Sequence, residues 1–564
     1  MDETTPAHAA ESGGSLPGEP PKKGSVRNVF RWIGRSFAQR SKLTGILVIL
    51  FVASILAVII ERNLYQPYAI VARAYSGVPF ALLGLFVLTW LTLTICRLRK
   101  LRVIWYVIVM GLGMGGIVWG KSLHDYTTAF LRFGTLELVD IEKLPLTDNE
   151  RVLPQAAVYW LIASLTNMTT TSTQPSLVRV GDIYEWTAAI APNPSFLWQN
   201  LFGKVEEVVH LPAVSASTAL STKTRSRASF TEGEYMLLGA NIDTCVRRSF
   251  GPLRFWNYEP GNTVFIKDDT GEWVQAVTLI RWAGWLFPWP EFGGVQLIRQ
   301  TQARDIVRSS DILAVVQDIA LNGWSEISRV LSRLTLGCGE WIPPEDVQKH
   351  TFLRGQNIVP FAVTRYNALS LGFQQGFWAK AAGYREGDLR IPDLPSDLND
   401  QPFTLFARMA EYGGQDKLYQ YVALEPVDTS RSGLSTSYFG PADGIGPVFR
   451  AQHYKSSNCL GVSAISGIVK GKAAATIGTR VPVEHRLYVK ELADALGRID
   501  RRFFWMTSVL TRNEGRPGYA IEASPMLFFT DMCTRISEPV SDPSDPESWP
   551  AELQRANARE WARQ

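Results

Sequence analysis

Six histidines are the first residues to test for metal or acid–base chemistry in this 564-residue chain: His8, His124, His210, His350, His453 and His485. No two stand at the spacing of a local zinc site, and no CxxC accompanies them. Gly461-Val462-Ser463-Ala464-Ile465 approaches a nucleophile elbow but lacks its closing glycine, so Ser463 reads as the first turn of a helix. The stretch 467–473 (GIVKGKA) has the wrong spacing for a phosphate loop and no Ser or Thr after Lys472. Asp393, Asp397 and Asp400 sit among Pro392, Pro395 and Pro402 without the alternation of a calcium loop, and read as a solvated connection. These residues predict no local catalytic, cofactor or metal site. An active site would have to be assembled from distant segments.

Aromatic residues offer a different chemistry. In 281–294 (RWAGWLFPWPEFGG), Trp282, Trp285, Phe287, Trp289 and Phe292 crowd one connection that also holds Gly284, Pro288 and Pro290. Rings with an apolar body and a polar edge suit a protein partner or a membrane surface, so these five are the candidate contact residues. The Ser/Thr-rich stretch 215–229, with Lys223, Arg225 and Arg227, reads as a mobile solvated loop. Cys245, Cys338, Cys459 and Cys533 lie in apolar or strand-like contexts, which predicts mainly buried thiols and at most one disulfide among three possible full pairings.

The elements that must carry these residues show a repeat. Residues 176–190 (SLVRVGDIYEWTAAI) and 263–277 (TVFIKDDTGEWVQAV) each run strand, turn, then a second strand entered through Glu-Trp with Ala three places later. A third strand follows each, at 205–211 and 295–298. Residues 502–510 (RFFWMTSVL) form a further copy with Trp505 and Ser508 in the Trp and Ala places, followed by a strand at 525–531. A looser fourth is 418–424 (LYQYVAL), with a return strand at 448–453. Helices are expected at 155–166, 311–334, 358–382 and 462–475. The expected fold of this part is tandem α+β units, each a small antiparallel sheet backed by a helix, with Trp186, Trp273 and Trp505 anchoring sheet to helix. A helix followed by such a meander resembles PepSY-type domains.

Three apolar runs precede these units, at 43–60, 77–96 and 103–120, and their lengths predict transmembrane helices. Basic residues before the first run and at Arg97, Arg99, Lys100 and Arg102 predict a cytoplasmic N-terminus and an extracytoplasmic C-terminal domain. Gly111, Gly115, Gly116 and Gly120 give the third run two small-residue faces for helix packing, within the chain or in a homo- or hetero-oligomer. The expected organisation is a disordered basic cytoplasmic tail (1–42), a three-helix membrane segment (43–120) and a first α+β region (121–305). A mainly helical region (306–390), a second α+β region (391–537) and a polar tail (538–564) complete it. A net charge of +4 gives no reason to expect nucleic acid. The expected partners are the lipid bilayer and a protein of the envelope. The leading expectation is a non-enzymatic, membrane-anchored protein whose extracytoplasmic domain binds or scaffolds others. The alternatives are an envelope enzyme with a non-local active site and a subunit of a membrane complex or transporter.

Overall fold

The computed structural model describes most of residues 134–300, then 338–359, 389–390, 403–426, 433–453, 459–473, 479–493, 497–512 and 526–561, with scattered residues of 49–131. It is mostly β-sheet. After β1 (Leu138–Ile141), the first sheet is built from β2 (Thr170–Ser172), β3 (Ser176–Val180), β4 (Ile183–Pro192), β5 (Val205–Pro212) and β6 (Arg225–Phe230). The second holds β7 (Tyr258–Lys267), β8 (Trp273–Ala283), β9 (Trp289–Arg299) and β10 (Glu340–Ile342) in antiparallel order. The third comprises β11 (Leu389–Arg390), β12 (Phe403–Ala407), β13 (Lys417–Pro426), β14 (Thr436–Pro441) and β15 (Val448–Gln452), with β1 added in parallel against β15. The fourth is β16 (Thr479–Ala493), β17 (Ile499–Arg512), β18 (Met526–Asp531) and β19 (Ser537–Pro539). Four helices are described beside them: α1 (Gln155–Ala163), α2 (Ile242–Ser249), α3 (Val462–Ala473) and α4 (Trp549–Trp561).

The four sheets form a four-bladed, propeller-like arrangement in which each sheet shares a core with a neighbouring sheet, while α2 and α4 cover further faces of the second and fourth. Phe265 and Trp273 of the second sheet share a core with Val208 and Phe230 of the first. Phe292, on the second sheet, meets Ile445 beside β14–β15. Tyr421 and Phe449 of the third sheet pack with Leu487 and Trp505 of the fourth. Residues 141–153 tie the assembly together. Thr147 N–H donates to Val489 O at 3.1 Å, Arg408 N–H to Leu146 O at 2.8 Å, and Leu153 N–H to Ala213 O at 3.3 Å. One segment thus bonds to the fourth, third and first sheets in turn.

This arrangement explains the Trp-x-x-Ala spacing. Strand alternation puts residues three apart on opposite faces. Trp186 enters the core that the first sheet shares with Leu418 and Ala442, while Ala189 lies on the other face, toward Phe265. Trp273 faces the first sheet and Ala276 the opposite side. Trp505 packs toward the third sheet, and Ser508 is fully buried behind it. A large ring on one face and a small residue on the other let a strand be covered from both sides at close-packed density.

Two expectations are corrected here. The sheets are not separate α+β units each backed only by its own helix. Trp186 and Trp505 do share their cores with α1 and α3, but the same cores also take in residues of the neighbouring sheets, so the sheets join into one propeller-like arrangement. The membrane-anchored architecture is overturned as well. Most of 43–120 lies outside the described residues, and among those described no helix is long and apolar enough to cross a membrane. The three spans, the cytoplasmic N-terminus and the extracytoplasmic placement of the rest therefore lose their structural basis. Of the packing glycines, Gly111 is described and nothing lies within 4 Å of where its Cβ would be. Gly115, Gly116 and Gly120 are outside the described residues, as are the expected helix 311–334 and nearly all of 358–382. Helices α1 and α3 start where the sequence places them.

An ionic cluster links the fourth sheet to the first. Arg151 pairs with Glu484 and lies 5.1 Å over the Trp186 ring. Arg486 is fully buried 3.7 Å from the same carboxylate, and its three guanidinium nitrogens have no hydrogen-bond partner among the described residues. Burial pushes this guanidinium down to about 9. It therefore stays charged at pH 7, at a desolvation cost that attraction to one shared carboxylate does not offset. Replacing Arg151, Glu484 and Arg486 together by apolar residues of similar size should leave stability unchanged or raise it by about 1–4 kcal/mol, read as an unchanged or higher urea midpoint at pH 7. A lower midpoint would mean that the cluster is well satisfied in solution.

Candidate interaction surface

The second sheet carries the aromatic segment singled out from the sequence. Strands β8 and β9 form a hairpin whose pairing runs on to Trp282–Pro290 and Ala283–Trp289. The tryptophans at its end are thus on paired arms rather than in an irregular connection. Trp282 Nε1 donates to Glu259 Oε2 at 3.0 Å, and Trp289 Nε1 to Glu291 Oε1 at 3.0 Å. Glu291 also pairs with Arg281 at 2.5 Å. Both rings are half-buried. Phe292 is buried against Gly444, whose φ of +73° and lack of a Cβ allow the ring to sit there. Trp285 and Phe287 lie outside the described residues.

More aromatic surface lies on the same sheet. The face that meets the first sheet at Trp273 is covered farther along by α2, whose Ile242 and Val246 pack on Val277 and Leu279. Asn241 caps α2 by accepting from Thr244 N–H at 3.1 Å, and Cys245 ties the helix to Cys338, just before β10, by a disulfide. This is the one disulfide among the described residues, within the limit set by the sequence. Beyond α2, Phe250 stacks on Tyr258 at 4.2 Å, and both meet Trp341 edge-on at 5.7 and 5.6 Å. Trp341 Nε1 is fixed to Gly293 O at 3.1 Å. Gly294, at φ +92°, lets the β9 backbone close on Ile342 O. Trp341 remains 37% exposed and Trp256 47%, so two large rings face solvent on a frame held by a disulfide and a sheet.

Acidic groups lie near this frame. Burial raises the carboxyls of Glu234, Asp243 and Glu259, and it lowers the Arg247 guanidinium, which sits 3.7 Å from Asp243. No group of three or more His, Cys, Asp or Glu among the described residues is placed to hold a metal ion.

Sequence reasoning also missed a polar line on the first sheet. His210 Nε2 is 3.2 Å from Ser226 Oγ, and its Nδ1 is 3.2 Å from Glu185 Oε2. The three come from β6, β5 and β4, whose pairing places them on one face. Ser463, weighed as a nucleophile, instead donates through Oγ to Glu425 Oε2 at 2.5 Å in the first turn of α3. Asp393, Asp397 and Asp400 are outside the described residues.

Fold and site together define a four-sheet, propeller-like β protein with a rigid aromatic end on one sheet. Comparison with protein-family models, curated proteins and solved structures finds no match, so the resemblance to PepSY-type domains gains no support.

Proposed function

We propose that this chain is a non-enzymatic protein-binding platform whose partner docks on the aromatic end of the second sheet. The observation that carries the reading is the pair of exposed rings, Trp256 and Trp341, beside the Phe250–Tyr258 stack and the Trp282–Trp289 hairpin end. Aromatic anchors of this kind dominate binding energy because they bury a large area while losing few rotamers. Their backbones are already fixed by pairing and by the Cys245–Cys338 bond, which lowers the ordering cost of association. Arg281, Glu291 and Glu259 supply polar groups around them.

Trp256→Ala combined with Trp289→Ala should weaken association at least tenfold while moving the thermal midpoint by only a few degrees. Binding is read by quantitative capture of partners identified by mass spectrometry with the unaltered protein. Unchanged capture by a folded double variant would defeat the proposal.

The Glu185–His210–Ser226 line supports a second reading, a hydrolase with a serine nucleophile, a histidine base and an orienting carboxylate. Ser226 lies on a regularly paired strand rather than on a sharp turn, which ranks this reading below the first. Covalent labelling of Ser226 by a fluorophosphonate, lost in His210→Gln, would reverse the order.

A further inference from the structure

We propose that Cys459 and Cys533 are a dithiol that closes into a second, reversible disulfide, with a small-molecule disulfide as the oxidant. Their sulfurs are 3.7 Å apart across 74 residues of sequence. The backbones that carry them are already clamped. Leu460 N–H donates to Met532 O at 2.8 Å, so the residues next to the two cysteines are hydrogen-bonded to each other. Cys459 O accepts from Leu434 N–H at 2.9 Å beside the third sheet, and Cys533 N–H donates to Asp531 Oδ1 at 2.8 Å at the end of the fourth. These clamps hold the two sulfurs close to the separation that a bonded pair requires. The bond would fasten the third sheet to the fourth beside Trp505, whose Nε1 donates to Leu460 O at 2.8 Å.

Burial assigns the order of events. Cys533 is exposed and Cys459 is buried, so an incoming disulfide meets Cys533 first. The Cys533 thiolate attacks one sulfur of the oxidant, forming a mixed disulfide and releasing the other half as a thiol. The Cys459 sulfur, after losing its proton to solvent, then attacks Cys533 Sγ, and the second half leaves as a thiol. Two protein thiols are oxidised and one small disulfide is reduced to two thiols. The hydrogen bond with the Cys459 thiol pushes the Cys533 thiol above its ordinary range, so closure should accelerate as pH rises.

The test uses the full-length protein, incubated with oxidised glutathione and mapped by mass spectrometry without reduction. The expected product has lost two hydrogens and yields a Cys459–Cys533 cross-linked peptide, separate from the Cys245–Cys338 one. Its thermal midpoint should rise by roughly 5 °C and fall back when reductant is added. Cys459→Ser should stop at a stable glutathione adduct on Cys533, and Cys533→Ser should give neither adduct nor cross-link. The proposal is overturned if the unaltered protein, at equilibrium with oxidant, keeps both thiols alkylatable. It is equally overturned if that protein keeps an unresolved adduct at Cys533.

Discussion

Trp505→Ala is expected to cost roughly 3–5 kcal/mol, enough to unfold most of a marginally stable domain. The ring is fully buried where the third and fourth sheets meet, with Tyr421 at 6.1 Å and the cysteine-bearing Leu460 segment at its indole nitrogen. Truncation leaves a cavity between two sheets that cannot collapse, since each is held by its own ladder, and it orphans the Leu460 carbonyl. Trp505→Phe should retain much of the packing and cost less. Urea unfolding measures both. If Trp505→Ala proves no worse than Trp256→Ala, on an exposed ring, the sheet-to-sheet contact is not a stabilising one.

Acid should destabilise the protein through its buried imidazoles. His485 is fully buried in the fourth sheet, with Ser466 Oγ at 2.8 Å from Nε2 and Thr507 Oγ1 at 2.9 Å from Nδ1. Burial pushes its imidazole down to about 4, and His453, beside Ser437 Oγ at 3.0 Å, is also pushed down to about 4. The unfolded chain binds these protons near pH 6.5, whereas the folded chain binds them only near 4. The stability each neutral imidazole contributes is therefore complete above pH 6.5 and is lost as pH falls from 6.5 through 4. For His485 that is about 3 kcal/mol; His453, partly exposed, should contribute less. Urea midpoints at pH 7, 5.5 and 4 should fall steadily, and His485→Gln should flatten the curve. A flat profile in the unaltered protein would mean that both imidazoles are accessible to protonation when folded.

Local information carried much of the candidate surface but not its outline. Trp282 and Trp289 were legible because a row of rings between turn residues stands out in sequence. Trp341 follows Glu340 just as Trp186 follows Glu185 and Trp273 follows Glu272, so the dipeptide was a usable signal. It is exposed where the others are buried because β10 is an edge strand. Nothing local marks Trp256 or the meeting of Phe250 with Tyr258, since that stack depends on α2 crossing the sheet. The Glu185–His210–Ser226 line was equally invisible, because strand register, not spacing along the chain, brings the three together.

Local pattern was enough to find the repeated unit: two strand-turn-strand segments and two further strands, three of them with Trp on one face and a small residue three places on, each in a different one of the four sheets. Period-two alternation and turn residues are local signals, and so are the starts of α1 and α3. What covers each sheet face was decided only by tertiary structure. A strand that is apolar on both faces reads the same whether a helix or another sheet packs on it, and only the long-range contacts distinguish them. Parallel addition of β1 to β15, across more than three hundred residues of chain, is a pairing that no local pattern specifies. The same holds for the approach of Cys459 to Cys533, which follows from docking the fourth sheet on the third.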